Sequence, residues 1–94
     1  MPIFRLSLAK TYYEQGFFNV TIDFDRYVGS TGPVELVLRK SGVRFAGKIN
    51  RRANPNGTPR IMGGAQLRDW FQSNYHVGDV IDVDLGSTNS IGIG

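Results

Sequence analysis

The residues with most chemistry to offer lie in "KINRRANPNGTPR", positions 48 to 60, where Arg51, Arg52 and Arg60 bracket a tract of Asn, Pro, Gly and Thr. Arginine presents a planar fork of N–H donors that bonds bidentately to a phosphate or to the edge of guanine, and asparagine does the same for adenine. Lys48, Thr58 and backbone N–H groups are suited to holding phosphates and so to setting a register. Asn-Pro and Asn-Gly are both turn dipeptides, so "ANPNGTP" is predicted as a loop outside any core. The plainer alternative is an exposed hairpin loop whose arginines keep it solvated. A second polar stretch, "KTYYEQG" at 10–16, is predicted as another loop, carrying Tyr12 and Tyr13. In a compact barrel two such loops can lie on one rim and embrace one ligand. The tyrosines would then touch phosphate or stack; otherwise at least one is a partly buried core aromatic.

The charge distribution sharpens the question. The formal net charge is only +3, but Leu36 to Arg60 contains Arg39, Lys40, Arg44, Lys48, Arg51, Arg52 and Arg60 and no acidic residue. Asp69 to Asp84 reverses the balance, with Asp69, Asp79, Asp82 and Asp84 and no Lys or Arg. One cationic face suits a polyanion such as nucleic acid, although a solvated strand face would give the same pattern.

Catalytic chemistry is poorly supplied. One histidine and no cysteine leave little for a nucleophile–histidine pair or a Cys/His zinc site. His76 stands beside a predicted helix end, where a capping or surface role fits it. Asp23 and Asp25 open a predicted helical turn, where carboxylates suit the helix dipole. Asp82 and Asp84 share one face of a strand and could ligate a metal in a nuclease, but no lysine stands near them at nuclease-like spacing. "GSTGP" and "MGGA" match no phosphate-loop pattern, and Gly63-Gly64 fits a tight strand-to-helix turn. No catalytic residue, metal ligand or cofactor is assigned.

The elements that must position these residues follow from periodicity. Ninety-four residues, 40% of them hydrophobic, predict one domain over 1–94 with a modest core and no disulfide. "IFRLSLA" and "FFNVTI" read as strands, the second with Phe18, Val20 and Ile22 on one face. "DFDRYVG" reads as a short helical turn with Asp23 as N-cap and Gly29 as its stop. "VELVLRK" is a strand with Val34, Leu36 and Leu38 inward, joined by a tight turn at Ser41-Gly42 to "VRFAGKINRR". There the register is expected to slip around Gly47, as at a bulge. "RIMGG" is a short strand, and "AQLRDWFQSNY" a helix with Leu67, Trp70 and Phe71 on one face. "HVGDVIDVDL" is a strand alternating Val80, Val83 and Leu85 against Asp82 and Asp84, and "SIGI" closes the sheet. Seven short strands and two short helices without β–α alternation predict a mostly β fold: a seven-stranded open pseudobarrel, largely antiparallel, with the helices at its ends. No stretch approaches the about 20 apolar residues of a membrane helix, and the N-terminus lacks the apolar run of a signal peptide.

In this order of elements the chain resembles the DNA-binding pseudobarrel family, which includes the "B-three" domain of plant transcription factors and the recognition domains of certain bacterial restriction endonucleases. The most specific stretch is "GGAQLRDWFQSNYHVGDVIDVDL", where Gly64, Trp70, Phe71, Gly78 and Asp79 fall on the family's glycine, helix with an aromatic end, and Gly-Asp opening a strand. The resemblance covers roughly residues 3 to 86. It implies a wrench-like grip on the major groove by two arms, Lys10 to Gly16 and Asn50 to Arg60. Base reading would fall to Arg51, Arg52, Asn54 and Asn56, with Tyr12 and Gln15 from the first arm; Tyr13 and Asn50 complete the contact set. Lys10, Lys48, Thr58 and Arg60 would mostly hold phosphate. The plant members' arginine-leucine-X-isoleucine-proline motif is replaced by "FFNVTIDF", which points to the restriction-associated branch.

The expectation is therefore a sequence-specific double-stranded DNA-binding module, of the kind that finds targets for a restriction or modification system. It has no catalysis of its own, no membrane partner and a monomeric isolated domain, with a nuclease domain or subunit as a candidate partner. Its compartment would be the cytoplasm of a prokaryote, or the nucleus if the host is eukaryotic. The alternatives are a protein-interaction module on the same barrel, which predicts an apolar patch or open edge strand, and a small nuclease using Asp82 and Asp84.

Overall fold

The computed structural model describes residues 2–87 and 89–94. Seven strands form one sheet: β1 (Ile3–Ser7), β2 (Phe17–Asn19), β3 (Gly32–Leu38), β4 (Val43–Asn50), β5 (Arg60–Met62), β6 (Val80–Asp84) and β7 (Ser90–Ile93). Their spatial order is β1-β6-β7-β3-β4-β5-β2, which rolls nearly into a barrel and stays open between β1 and β2. All neighbours are antiparallel except β3 and β7, because the β6–β7 hairpin inserts its second strand beside β3. The expected mostly β, seven-stranded open pseudobarrel is the fold observed.

Alternation explains the core. Phe4 and Leu6 of β1 face Val83 and Ile81 of β6, Ile93 stands beside Val83, and Leu36 and Leu38 of β3 sit beside Ile91 and Ile93. All of these side chains are buried, as are Val34, Ile49, Ile61 and Phe18 farther along the sheet. The strand "VIDVD" is inward through Ile81 and Val83, continued by Leu85, while Val80 is exposed. The expected place for Val80 is thus one residue out of phase, since side chains alternate along a strand. The second half of "FFNVTI" also departs from expectation. β2 ends at Asn19; Val20 is still buried, but Ile22 begins a helix and stands out in solvent.

The bulge expected at Gly47 is not there. β3 and β4 pair without interruption from Gly32↔Ile49 to Leu38↔Val43, and Val43, Phe45, Gly47 and Ile49 all face the same way. Gly47 keeps the register and gives up only its side chain, because a Cβ there would lie 2.6 Å from the Leu36 methyl Cδ1.

Among the described residues three helical segments replace the expected two. α2 (Gly64–Asn74), entered through the Gly63-Gly64 turn, buries Leu67 and Phe71 completely. Its Trp70 stands edge-on to Tyr75 at 5.2 Å. A 3-10 helix, Ile22–Tyr27, begins after Thr21 rather than at Asp23, holds Asp23 and Asp25 within its first turn, and ends before Gly29. Its Phe24 leans on Phe4 of β1, ring centroids 5.5 Å apart.

The third, α1 (Lys10–Gln15), is the stretch expected to be a loop. Six residues without a side-chain cap form no stable helix alone. What holds this one is α2. Gly16 ends α1 in the left-handed region at φ 76°, its carbonyl accepts the Gly63 N–H at 3.0 Å, and Gln72 Nε2 donates to Tyr13 O at 3.0 Å. Among the described residues no helix is long and apolar enough to cross a membrane.

Candidate nucleic-acid interface

β4, β5 and β2 turn their outer faces the same way, and their register builds two rows of side chains. Lys48, Met62 and Phe17 form one, and Asn50, Arg60 and Asn19 the next. The inner row between them, Ile49, Ile61 and Phe18, is core. Strand alternation alone therefore delivers Lys48, Asn50 and Arg60 to one surface. Lys48 is exposed, while Arg60 is half-buried with its guanidinium 4.3 Å from the centre of the Phe17 ring. Phe17 in turn meets Tyr12 of α1 edge-on at 5.4 Å. This chain of contacts, Arg60 to Phe17 to Tyr12, joins the two segments expected to act together.

Between β4 and β5 runs an irregular loop whose backbone is satisfied by side chains. Asn54 Nδ2 donates to Asn19 Oδ1 (3.0 Å) and to Thr58 O (3.1 Å). Asn56 Oδ1 accepts the Thr58 N–H and hydroxyl at 3.2 and 2.8 Å, and Thr58 is buried. Asn50 Oδ1 accepts the Arg52 N–H (2.9 Å), and the Val20 N–H donates to Pro59 O (2.9 Å). The Asn content that marks a loop in the sequence also helps to fold it: the side chains of Asn50, Asn54 and Asn56 bond backbone groups of Arg52 and Thr58 in place of a strand ladder.

Arg51 is the most heavily bonded side chain among the described residues. Its Nε donates to Gly29 O (2.8 Å); Nη1 donates to the Asp25 carboxylate and to Gly57 O (3.3 Å); Nη2 donates to Asp25 O (3.1 Å) and Val28 O (2.6 Å). Five donors meet five acceptors, which uses the whole guanidinium. Its backbone N–H donates to Thr31 Oγ1 at 3.0 Å. Arg51 ties the loop to the end of the 3-10 helix and has no donor left for a base.

The expected contact residues thus divide. Tyr12, Asn54, Asn56 and Thr58 line one open cleft of about 640 Å³, with Asn19, Val20, Ile22 and Pro55 as further walls. Lys48, Asn50 and Arg60 occupy the adjoining outer sheet face. Arg52 is exposed, and its side chain has no partner among the described residues. Lys10 and Gln15, at the two ends of α1, are exposed and outside the cleft lining, and Tyr13 packs against the core beside α2. Glu14 and Asp23 are exposed acids on the neighbouring helical segments. Two participants, Phe17 and Asn19, were not expected from the sequence, and Asp25, expected only to suit a helix dipole, is the partner of Arg51. A signal existed only for Asn19, a lone amide in an otherwise apolar strand, whose Oδ1 accepts from both Asn54 and Arg60 Nε (3.1 Å).

The cation-rich segment is not one patch. β4 has eight residues and so runs roughly 24 Å. At its far end Arg44 is paired with Glu35 at 2.6 Å, and Lys40 stands 6.0 Å above the Tyr75 ring. On the acidic side Asp82 faces Arg5 at 3.9 Å, Asp84 Oδ1 accepts the Gly86 N–H, and Asp79 Oδ2 accepts the His76 N–H. Among the described residues no three His, Cys, Asp or Glu side chains gather as a metal site would require. Compared with protein-family models, with curated proteins and with solved structures, the chain matches none.

Proposed function

We propose that the chain is a sequence-specific double-stranded DNA-binding domain of pseudobarrel type, the target-recognition module of a restriction or modification system, with no catalysis of its own. One observation carries the reading. Tyr12 and the Asn54–Thr58 loop, some forty residues apart in sequence, line one open cleft beside a sheet face bearing Lys48, Asn50 and Arg60. The cleft mixes the exposed Asn56 amide, which suits a base edge, with the exposed Ile22 and Pro55, which suit the thymine methyl. Lys48, Arg52 and Arg60 supply charge for phosphates; the Nη donors of Arg60 have no partner among the described residues. The body measures 29 × 26 × 22 Å, the length of roughly six to nine base pairs at 3.4 Å each. Such a domain would work in a prokaryotic cytoplasm, or in a nucleus if its host is eukaryotic, beside a nuclease domain or subunit.

The test is selection from random duplex oligonucleotides at ~150 mM salt, followed by sequencing. The proposal expects a short enriched motif, and expects Lys48→Glu and Arg52→Glu each to weaken its binding without altering the fold. Salt-sensitive retention without enrichment would reduce the domain to a nonspecific basic surface. No retention at all would favour a protein-interaction module, whose apolar contacts would include the exposed Val77 and Val80.

A further inference from the structure

Resting on the DNA-binding reading, we propose that Asp25 and Arg51 are positioning residues: they clamp the 52–58 loop in the one conformation that reads a particular base sequence, and neither touches the DNA. The Arg51 side chain is 24% exposed and that of Asp25 38%. Around it converge the Asp25 carboxylate, three carbonyls from the end of the 3-10 helix and its outlet (Asp25, Val28, Gly29), and Gly57 O from the loop itself. One side chain thus fixes the loop's first residue and its far limb to a helix in another part of the chain. Asn54 makes the second tie, to Asn19. Between these ties Arg52, Pro55 and Asn56 face outward. A loop held at two points presents its exposed groups at fixed spacing, the geometry that bidentate base contacts require.

The clasp makes predictions opposite to simple electrostatics. Asp25→Asn removes a negative charge beside a cationic surface, so charge alone predicts tighter binding to every duplex. The clasp predicts that the preference for the selected duplex over a scrambled one falls about tenfold, while binding to the scrambled duplex at low salt is unchanged or stronger. Arg51→Lys keeps the charge and most of the reach but replaces the five-donor fork by three donors on a flexible stem. If Arg51 served by holding a phosphate, lysine would substitute for it and the preference would stay.

The experiment measures affinities of wild type, Asp25→Asn and Arg51→Lys for both duplexes across a salt series. Hydrogen exchange of the loop amides is followed in the same samples without DNA. Faster exchange across residues 53–58 with core amides still protected, together with lost preference, is the expected result. Preserved preference in both variants would overturn the clasp and leave the DNA reading standing. If either variant loses core protection, the other decides. A wild-type protein that selects no duplex would overturn both.

Discussion

The two segments that meet at the cleft are equally polar in sequence, yet they satisfy their backbones in different ways. α1 (Lys10–Gln15) uses helical hydrogen bonds and depends on α2 for its existence. The stretch from Arg51 to Pro59 has no repeating backbone pattern and is held by the side chains of Arg51, Asn54, Asn56 and Thr58. A helix needs a surface to lean on; a loop of this kind needs specific amides and a fork of donors. The first is sensitive to shape, the second to chemistry. Substitutions that alter only shape or only donors separate the two.

The largest effect is expected where shape is tightest. A Cβ at Gly16 would lie 2.2 Å from Gly64 O and 2.8 Å from the Arg68 nitrogen, both backbone atoms, at a φ of 76°. Gly57 has nearly the same φ, 77°, but no atom within 4 Å of the would-be Cβ. Gly16→Ala should therefore cost about 3–4 kcal/mol, overpacking added to left-handed strain, while Gly57→Ala should cost about 1 kcal/mol from strain alone. Thermal unfolding of the pair measures the difference. Equal losses would mean that α1 is not wedged against α2.

Next comes Arg51→Ala, expected to cost about 2–3 kcal/mol, because it leaves Asp25 half-buried without its partner and three carbonyls, of Val28, Gly29 and Gly57, without a donor. That is less than the about 3–5 kcal/mol of a fully buried pair, since water reaches both groups. Denaturant unfolding would show it as a lowered midpoint at an unchanged slope. A loss below about 0.5 kcal/mol would return Arg51 to the surface and to the list of base readers.

How much of this was legible in the sequence follows from the same contrast. Alternation in "VELVL" and the i, i+3, i+4 spacing of Leu67, Trp70 and Phe71 report local geometry, and both elements fold as expected. The loop was legible because Asn-Pro, Asn-Gly and Thr act on their own neighbourhood. α1 was not, because its stability resides in contacts with residues 63–72, half a chain away. Gly47 looked like a bulge since sequence shows a missing side chain but not Leu36 filling its place. Arg51 and Arg52 are indistinguishable as letters. They differ because alternation past the end of β4 turns one toward the 3-10 helix and the other to solvent. The base-reading role expected of Arg51 and Asn54 rested on their chemistry alone, and the fold spends that chemistry internally.

A smaller effect belongs to Asn54→Ala. It removes two hydrogen bonds of a half-buried amide, to Asn19 Oδ1 and Thr58 O, and should cost about 1–1.5 kcal/mol. Hydrogen exchange should quicken in the loop and not in α1. An equal response in both would show that the segments share one cooperative unit, so that the cleft opens and closes as a whole.

The smallest effect on stability, and the sharpest on binding, is expected for Arg52→Ala. Arg52 adjoins Arg51 in sequence but is exposed, and it contributes only its backbone N–H to the fold, through Asn50. Removing its side chain should change stability by less than about 0.5 kcal/mol, the usual range for a surface site. If it meets a phosphate, the slope of log affinity against log salt should flatten by about 1, equally for all duplexes. If it reads guanine instead, the loss should be about 1–3 kcal/mol and confined to duplexes with that base at one position. One variant measured against two duplexes at several salt concentrations separates these outcomes. Set beside Arg51→Ala, it asks whether two neighbouring arginines divide the work, one building the loop and the other using it.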